Sequence, residues 1–266
     1  TTEIYTLSLH DALPIWDSVF FRSPDGTTFL SDGGSTNVSA VGDYRLLPFL
    51  KAEGEGTIDY LLISHMDQDH ISGVVELLED SQKPGAISIG TAILPEVRKK
   101  DEAYEEMETK LQEAGVEILY MGKGDVLKSD TLSLTCLWPQ KGSLSDDRNE
   151  QSLVLMAEYG EFQMLLTGDI GEQAEKALAS SGTLRPVELL KVAHHGSRYS
   201  SSEAFLSQVQ PELSLISCSS TNRYGHPGAE TLERLQGVGS RILITKDKGA
   251  IRIRTDGKKV WVKTWK

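Results

Sequence analysis

Short apolar runs bounded by Gly, Pro, Asp or Asn recur along the chain, and each predicts a strand. Residues 18–22 and 27–31 flank Pro24-Asp25-Gly26, which predicts a hairpin. Further strands are expected over 58–63, 86–89, 92–94, 116–121, 132–138, 151–156, 162–167, 187–192, 213–218, 241–245, 250–254 and 260–264. Helical spacing of apolar positions predicts helices over 41–51, with Leu46, Leu47 and Leu50 on one face, and over 74–79, 101–114, 172–179 and 229–235. Gly122-Lys123-Gly124-Asp125 reads as a turn, and Lys246-Asp247-Lys248-Gly249 as a hairpin turn between two late strands. Two halves of similar strand and helix order imply a mixed α and β fold with functional groups at strand ends.

The densest chemistry follows the apolar run 58–63: Ser64-His65-Met66-Asp67-Gln68-Asp69-His70. In an extended loop alternate side chains point the same way, so His65 and Asp67 can converge on one point. Asp69 and His70 are neighbours and can serve a second point. Imidazole and carboxylate both bind divalent first-row metals, and two His and two Asp here are a concentrated share of a chain with 6 His. Similar groups stand at other predicted strand ends: Gly168-Asp169 after 162–167, and Ala193-His194-His195-Gly196-Ser197 after 187–192.

His65-x-Asp67-x-Asp69-His70 after an apolar strand resembles the signature of the metallo-β-lactamase fold. Asp67 departs from the histidine most members carry there. With Ile71-Ser72-Gly73 behind it, the motif is similar to that of the hydrolase domain in ComEC-type DNA-uptake proteins. The resemblance, carried over residues 17–256, implies an α+β fold built as a four-layer αββα sandwich. It also implies two divalent cations, Zn²⁺ or Mn²⁺, held by His65, Asp67, Asp69, His70, Asp169 and His195, with Asp169 between them. Asp69, His194 and His226 would be catalytic, with His195 favoured over its neighbour as the ligand. Asp32, in Asp32-Gly33-Gly34, would orient the ligand loop, with Asn149 and Ser152 as further supports. The region before Ser152 lacks the histidine many members use, since no histidine stands between His70 and His194. Ser197 and Arg223, with Ser200, Ser201 and Ser202, would bind a phosphodiester in DNA. The alternatives are hydrolysis of a small ester, lactone or phosphocholine-like substrate, and a non-catalytic binding module.

Composition narrows this little. With 39% hydrophobic and 25% charged residues the chain reads as globular. No apolar run approaches the roughly 18 residues of a membrane helix, so a soluble unit is expected, extracytoplasmic if it acts like the ComEC-type domain. Cys136 and Cys218 stand far apart in apolar strands and read as buried free thiols. The net charge of −12 is uneven. Residues 234–266 hold ten Lys and Arg against two Asp, a net of +8, which leaves −20 for residues 1–233. A basic segment suits a polyanion, and an acidic body opposes one. Residues 1–15 break the pattern, with Leu13-Pro14-Ile15-Trp16 before Asp17-Ser18, and read like translated adapter sequence. They are expected to be non-native, leaving 16–266 as one domain.

Overall fold

The computed structural model describes residues 2–6, 17–36, 38–81, 83–219 and 224–265. The first half of the chain runs β1 (Thr2–Thr6), β2 (Asp17–Arg22), β3 (Thr28–Gly34), a π-helical turn (Gly42–Leu46) leading into α1 (Leu47–Ala52), β4 (Thr57–Leu62), α2 (Gln68–Glu79), β5 (Ser88–Pro95), α3 (Glu102–Glu113) and β6 (Glu117–Met121). The second half runs β7 (Val126–Lys128), β8 (Ser133–Trp138), β9 (Val154–Tyr159), β10 (Phe162–Leu166), α4 (Glu172–Ser180), β11 (Leu189–Lys191), α5 (Glu203–Val209), β12 (Leu213–Ile216), α6 (Ala229–Gly237) and β13 (Arg241–Ile244). After a single helical turn, Thr245–Lys248, β14 (Ala250–Thr255) and β15 (Val260–Trp265) return to the first half. One sheet has the order β15-β14-β1-β2-β3-β4-β5-β6 and the other β13-β12-β11-β10-β9-β8-β7.

Alternation along the strands creates the layers. Phe20, Leu30, Leu61 and Leu94 face one side of the first sheet and pack with Leu50, Val74, Leu77 and Met107 of the helices. Their neighbours Val19, Phe21, Phe29, Leu62 and Ile93 face the opposite way and meet Leu134, Leu155, Met164, Leu189 and Leu215 of the second sheet. Phe21 stacks on Phe29 at 4.7 Å, and Phe29 on Tyr60 at 5.3 Å. The far face of the second sheet, with Met156, Leu165 and Leu190, packs on Ala174, Leu178, Phe205 and Leu235. Three apolar clusters thus separate four layers, helix–sheet–sheet–helix, the αββα sandwich expected from the sequence.

Several local expectations are revised. Residues 246–249 are not a hairpin turn, because β13 and β14 lie in different sheets. The short apolar strand at 241–245 pairs in parallel with β12, and the chain then crosses over. The pieces 86–89 and 92–94 are one strand, β5. Helix α5 was not anticipated; its buried side, Phe205, Leu206 and Val209, is too short for a clear helical period.

Parallel pairing of β3–β4–β5 and of β10–β11–β12–β13 brings many strand C-termini to one edge. At that edge β3 ends in glycines that touch the start of α2. A Cβ on Gly34 would sit 2.6 Å from the Gln68 carbonyl oxygen and from backbone carbons of Asp69 and His70. A Cβ on Gly73 would sit 2.3 Å from the Gly33 carbonyl oxygen. The obstacles are backbone, so a side chain would have to push α2 away. Gly34→Ala is therefore expected to destabilise the fold by about 1–3 kcal/mol, read by urea unfolding; an unchanged midpoint would show that α2 is free to shift.

Candidate metal centre

The His-Asp loop is extended in its first half and helical in its second. Asp67 is extended (φ −77°, ψ 146°) and is the last residue before α2. His70 N and Ile71 N both donate to the Asp67 carbonyl, at 2.9 and 3.1 Å, which closes the first helical turn. His65 and Asp67 therefore share a side, with His65 Nε2 3.7 Å from Asp67 Oδ2, while Asp69 and His70 approach from the helix. The second sheet supplies the rest. His70 Nε2 lies 3.3 Å from Asp169 Oδ1. His195 Nε2 lies 3.4 Å from Asp69 Oδ2 and 3.6 Å from Asp169 Oδ2. Contacts thus run from Asp67 to His65 and from Asp69 through His195 and Asp169 to His70, with the His65 and His70 rings 4.2 Å apart, so that the six side chains cluster where the two sheets meet.

The histidines, Asp67 and Asp169 are held from behind. Asp32, in the left-handed region at φ 56°, accepts from Ser64 N at 2.8 Å and Ser64 Oγ at 2.7 Å. Its Oδ2 also accepts from His70 Nδ1 at 3.0 Å. A carboxylate only accepts, so this bond turns His70 Nε2 towards the centre. His65 Nδ1 meets Ser64 Oγ at 3.0 Å, and His195 Nδ1 donates to the Ser217 carbonyl at 3.0 Å. Ser152 Oγ accepts from Asp169 N at 3.1 Å. Gly168 precedes Asp169 at φ 52°, where a Cβ would meet Ser152 at 2.8 Å and Ser64 at 3.0 Å. Arg148 Nη1 donates to Asp67 Oδ1 at 3.1 Å and so leaves Oδ2 to face His65. Asp101, the N-cap of α3, accepts from Arg148 Nε.

The donors fit a cation. Nε2 of His65, His70 and His195 and Oδ1 of Asp169 are buried, yet among the described residues none makes a hydrogen bond. Buried polar atoms are rarely left so, and converging imidazole and carboxylate lone pairs are what a divalent metal takes. The charges of the metal-free site compensate among themselves. Burial pushes the His70 imidazole down, but Asp169 and Asp32 outweigh it and hold it well above the usual histidine range. Burial raises the Asp69 carboxyl, and His195 and His70 bring it down to about 2.

The matching family model, the metallo-β-lactamase superfamily, covers residues 17–220, which include every one of these donors. The chain belongs to the metallo-β-lactamase superfamily. Over 251 residues it is 34% identical to ComE operon protein 3 of Bacillus subtilis, covering 90% of this chain and 31% of that protein. Over 230 residues it is 30% identical to Recombination protein 2 of Haemophilus influenzae, covering 86% and 26%. The chain thus spans between a quarter and a third of the length of these relatives. Among solved structures, the metallo-β-lactamase fold protein YhfI of Bacillus subtilis has a TM-score of 0.60 at 14% identity, over 94% of this chain and 99% of that one. CmlA, a diiron β-hydroxylase from Streptomyces venezuelae, has 0.59 at 17%, over 96% and 54%. At those identities the likeness is one of fold.

The other expected residues of this superfamily member are placed as follows. His194 and His195 lie in the left-handed region, at φ 49° and 53°, and the double bend splits their rings. His195 enters the centre, while the His194 ring lies 5.7 Å from that of His226. Burial, with the neighbouring His194 and His195, pushes His226 down to about 4. Asn149 begins a short 3-10 turn, and its Oδ1 is buried with no hydrogen-bond partner among the described residues. The substrate-binding expectation for the serines is corrected in part. Ser197 and Ser200 are buried; Ser197 Oγ accepts from Tyr199 N at 3.3 Å, and Ser200 Oγ donates to the Ala193 carbonyl at 3.0 Å. They shape the loop rather than face solvent. Arg223 lies outside the described residues.

Asp17 and Lys191 belong to no motif in the sequence, yet both reach the centre. Lys191 Nζ donates to Asp17 Oδ2 at 2.6 Å, and both are buried. Asp17 falls within 4.8 Å of donor atoms of His70, Asp169 and His195, as a metal ligand would. However, it approaches His70 from the Nδ1 side, at 3.9 Å, where Asp32 also sits. It is therefore a counter-ion beneath the centre, joined to Lys191 across the two sheets. The signal was a lone lysine within the apolar run Leu189-Leu190-Lys191-Val192. Lys191→Met strands a buried carboxylate and is expected to cost about 3–5 kcal/mol, while Asp17→Asn with Lys191→Met recovers most of it. Urea unfolding of both variants checks this; equal stability of the two would show that the pair is not coupled.

His226 gives a pH prediction. Its folded pKa lies below its unfolded value of 6.5, at about 4. Below pH 6.5 the unfolded chain takes up a proton that the folded chain refuses, so stability falls until pH reaches about 4 and no further below it. His226→Gln should flatten that part of the acid slope in metal-free protein. An unchanged slope would mean that His226 keeps an ordinary pKa when folded.

Proposed function

We propose that this metallo-β-lactamase superfamily hydrolase uses two divalent cations, Zn²⁺ or Mn²⁺, to cleave phosphodiester bonds in DNA. The observation that carries the metal-dependent part is the set of buried donor atoms with no hydrogen bond among the described residues, of which those of His70, Asp169 and His195 lie close together. His65, Asp67 and Asp169 would hold one cation; Asp69, His70, His195 and Asp169 the other. When bound, such cations lower the pKa of water towards neutrality and offset charge on the attacked group. The remaining work falls to the chain. Ser64, Asp32 and Arg148 keep the donors aimed, and Asp69 helps to fix the attacking water. His194 and His226, with rings 5.7 Å apart at the rim, would hold or move a proton at the leaving oxygen.

The DNA part rests on the similarity to ComE operon protein 3 and Recombination protein 2 and on the ComEC-type signature. The basic segment 234–266 favours it, while the −20 of residues 1–233 favours a small substrate. Purified protein supplied with Mn²⁺ or Zn²⁺ is expected to cut single- or double-stranded DNA and bis-p-nitrophenyl phosphate. Chelation should abolish the activity, and so should Asp69→Ala or Asp169→Ala in protein that still folds. Full activity in either folded variant would reject the centre described. Turnover of a lactone or β-lactam with no cleavage of DNA would reject the nuclease reading and favour the small-substrate one. Arg223→Ala is expected to slow cleavage of DNA more than that of the small diester, because only DNA brings flanking phosphates.

A further inference from the structure

Two large aromatic side chains stand in solvent on the loops that carry the second sheet's histidines. Tyr224 is 77% exposed and Tyr199 68% exposed. Tyr224 rests on His226 and Tyr199 on Ser197 and Arg198. The Tyr224 ring lies 5.9 Å from the His226 imidazole at an interplanar angle of 18°, a parallel stack. The His226 ring lies in turn 6.4 Å from that of His195. Tyr199 is held near the double histidine by its N–H on Ser197 Oγ. The Arg198 guanidinium lies over the Tyr199 ring, 4.7 Å from its centroid, and donates to its hydroxyl. The two loops are sewn together, since Gly228 N donates to the Gly196 carbonyl at 2.8 Å and a Cβ on Gly228 would meet Arg198 at 3.1 Å.

Exposed rings gain nothing from folding, so their outer faces are available to a ligand. Ring faces paired with a guanidinium beside a site for phosphodiesters match the chemistry of an unpaired nucleotide strand. The bases stack, and the cation meets the backbone. A duplex keeps its base faces internal and offers these rings nothing. We propose that Tyr199 and Tyr224 form a stacking platform for the bases of single-stranded DNA next to the scissile linkage. This rests on the phosphodiester reading above and adds to it a preference for single strands.

The test compares oligothymidylate with an abasic phosphodiester strand of equal length, binding being measured by fluorescence anisotropy on wild type, Tyr199→Ala/Tyr224→Ala and Tyr199→Phe/Tyr224→Phe. Wild type is expected to bind oligothymidylate more tightly than the abasic strand. The alanine pair should lose at least about fivefold per ring on oligothymidylate, with little change on the abasic strand, and the phenylalanine pair should retain the wild-type affinity. Both rings are exposed, so the thermal midpoint should not move. Equal binding of the two strands by wild type, or an equal loss on both in the alanine pair, would overturn the platform. Hydrolysis of bis-p-nitrophenyl phosphate by wild type, followed in parallel, reports on the hydrolase reading separately, because that substrate needs no base.

Discussion

The centre depends on one constraint: several buried donors must be aimed at a common point without satisfying one another. Asp32 does most to meet it. Its carboxylate fixes the Ser64 amide, the Ser64 hydroxyl and the His70 imidazole at once, and so sets where β4 ends, how the ligand loop leaves it and which nitrogen His70 presents. A left-handed backbone is costly for any residue but Gly, and Asp32 adopts it at the exit of β3. The bend turns the carboxylate towards the next strand over. His194 and His195 repeat the solution in the other sheet, where two consecutive left-handed residues send adjacent imidazoles in different directions.

Asp67 shows how the plan adapts to a different donor. An imidazole has a back nitrogen to be held and a front nitrogen to offer. A carboxylate is symmetric and can swing so that either oxygen faces in. Arg148 breaks that symmetry by taking Oδ1. The guanidinium is half-exposed and shared with Asp101, so its worth lies in orientation more than in binding energy.

Much of this was legible in the chain, and the boundary is physical. His65 to His70 form one short loop whose spacing carries their geometry. Asp169 and the double histidine stand at the ends of clear apolar runs, so those runs located them. Asp17 and Lys191 meet across 174 residues, and Arg148 and Asp67 across 81; no local period encodes such encounters. The late crossover from β13 to β14 was misread for the same reason. Two strands joined by a tight turn look identical in sequence whether they pair or part, and only the competing partners, β12 in one sheet and β1 in the other, decide. That Ser197 and Ser200 turn inwards was not legible, because hydroxyls pointing inwards and outwards have the same composition.

The two sheets contribute unequally and neither is self-sufficient. Four of the six clustered donors come from the loop after β4 and the first turn of α2, and two from the segments that follow β10 and β11, with the glycine turn 122–125 linking the halves. The downstream half also carries β14 and β15, which complete the first sheet rather than its own. Cut at that glycine turn, the chain would become two pieces, each missing part of its own architecture and holding part of the other's. Such pieces are templates for each other. Reassembly of the sandwich and reassembly of the centre would then be a single event, which makes the turn a natural place to divide the protein into a two-part reporter whose signal is the restored cation pocket.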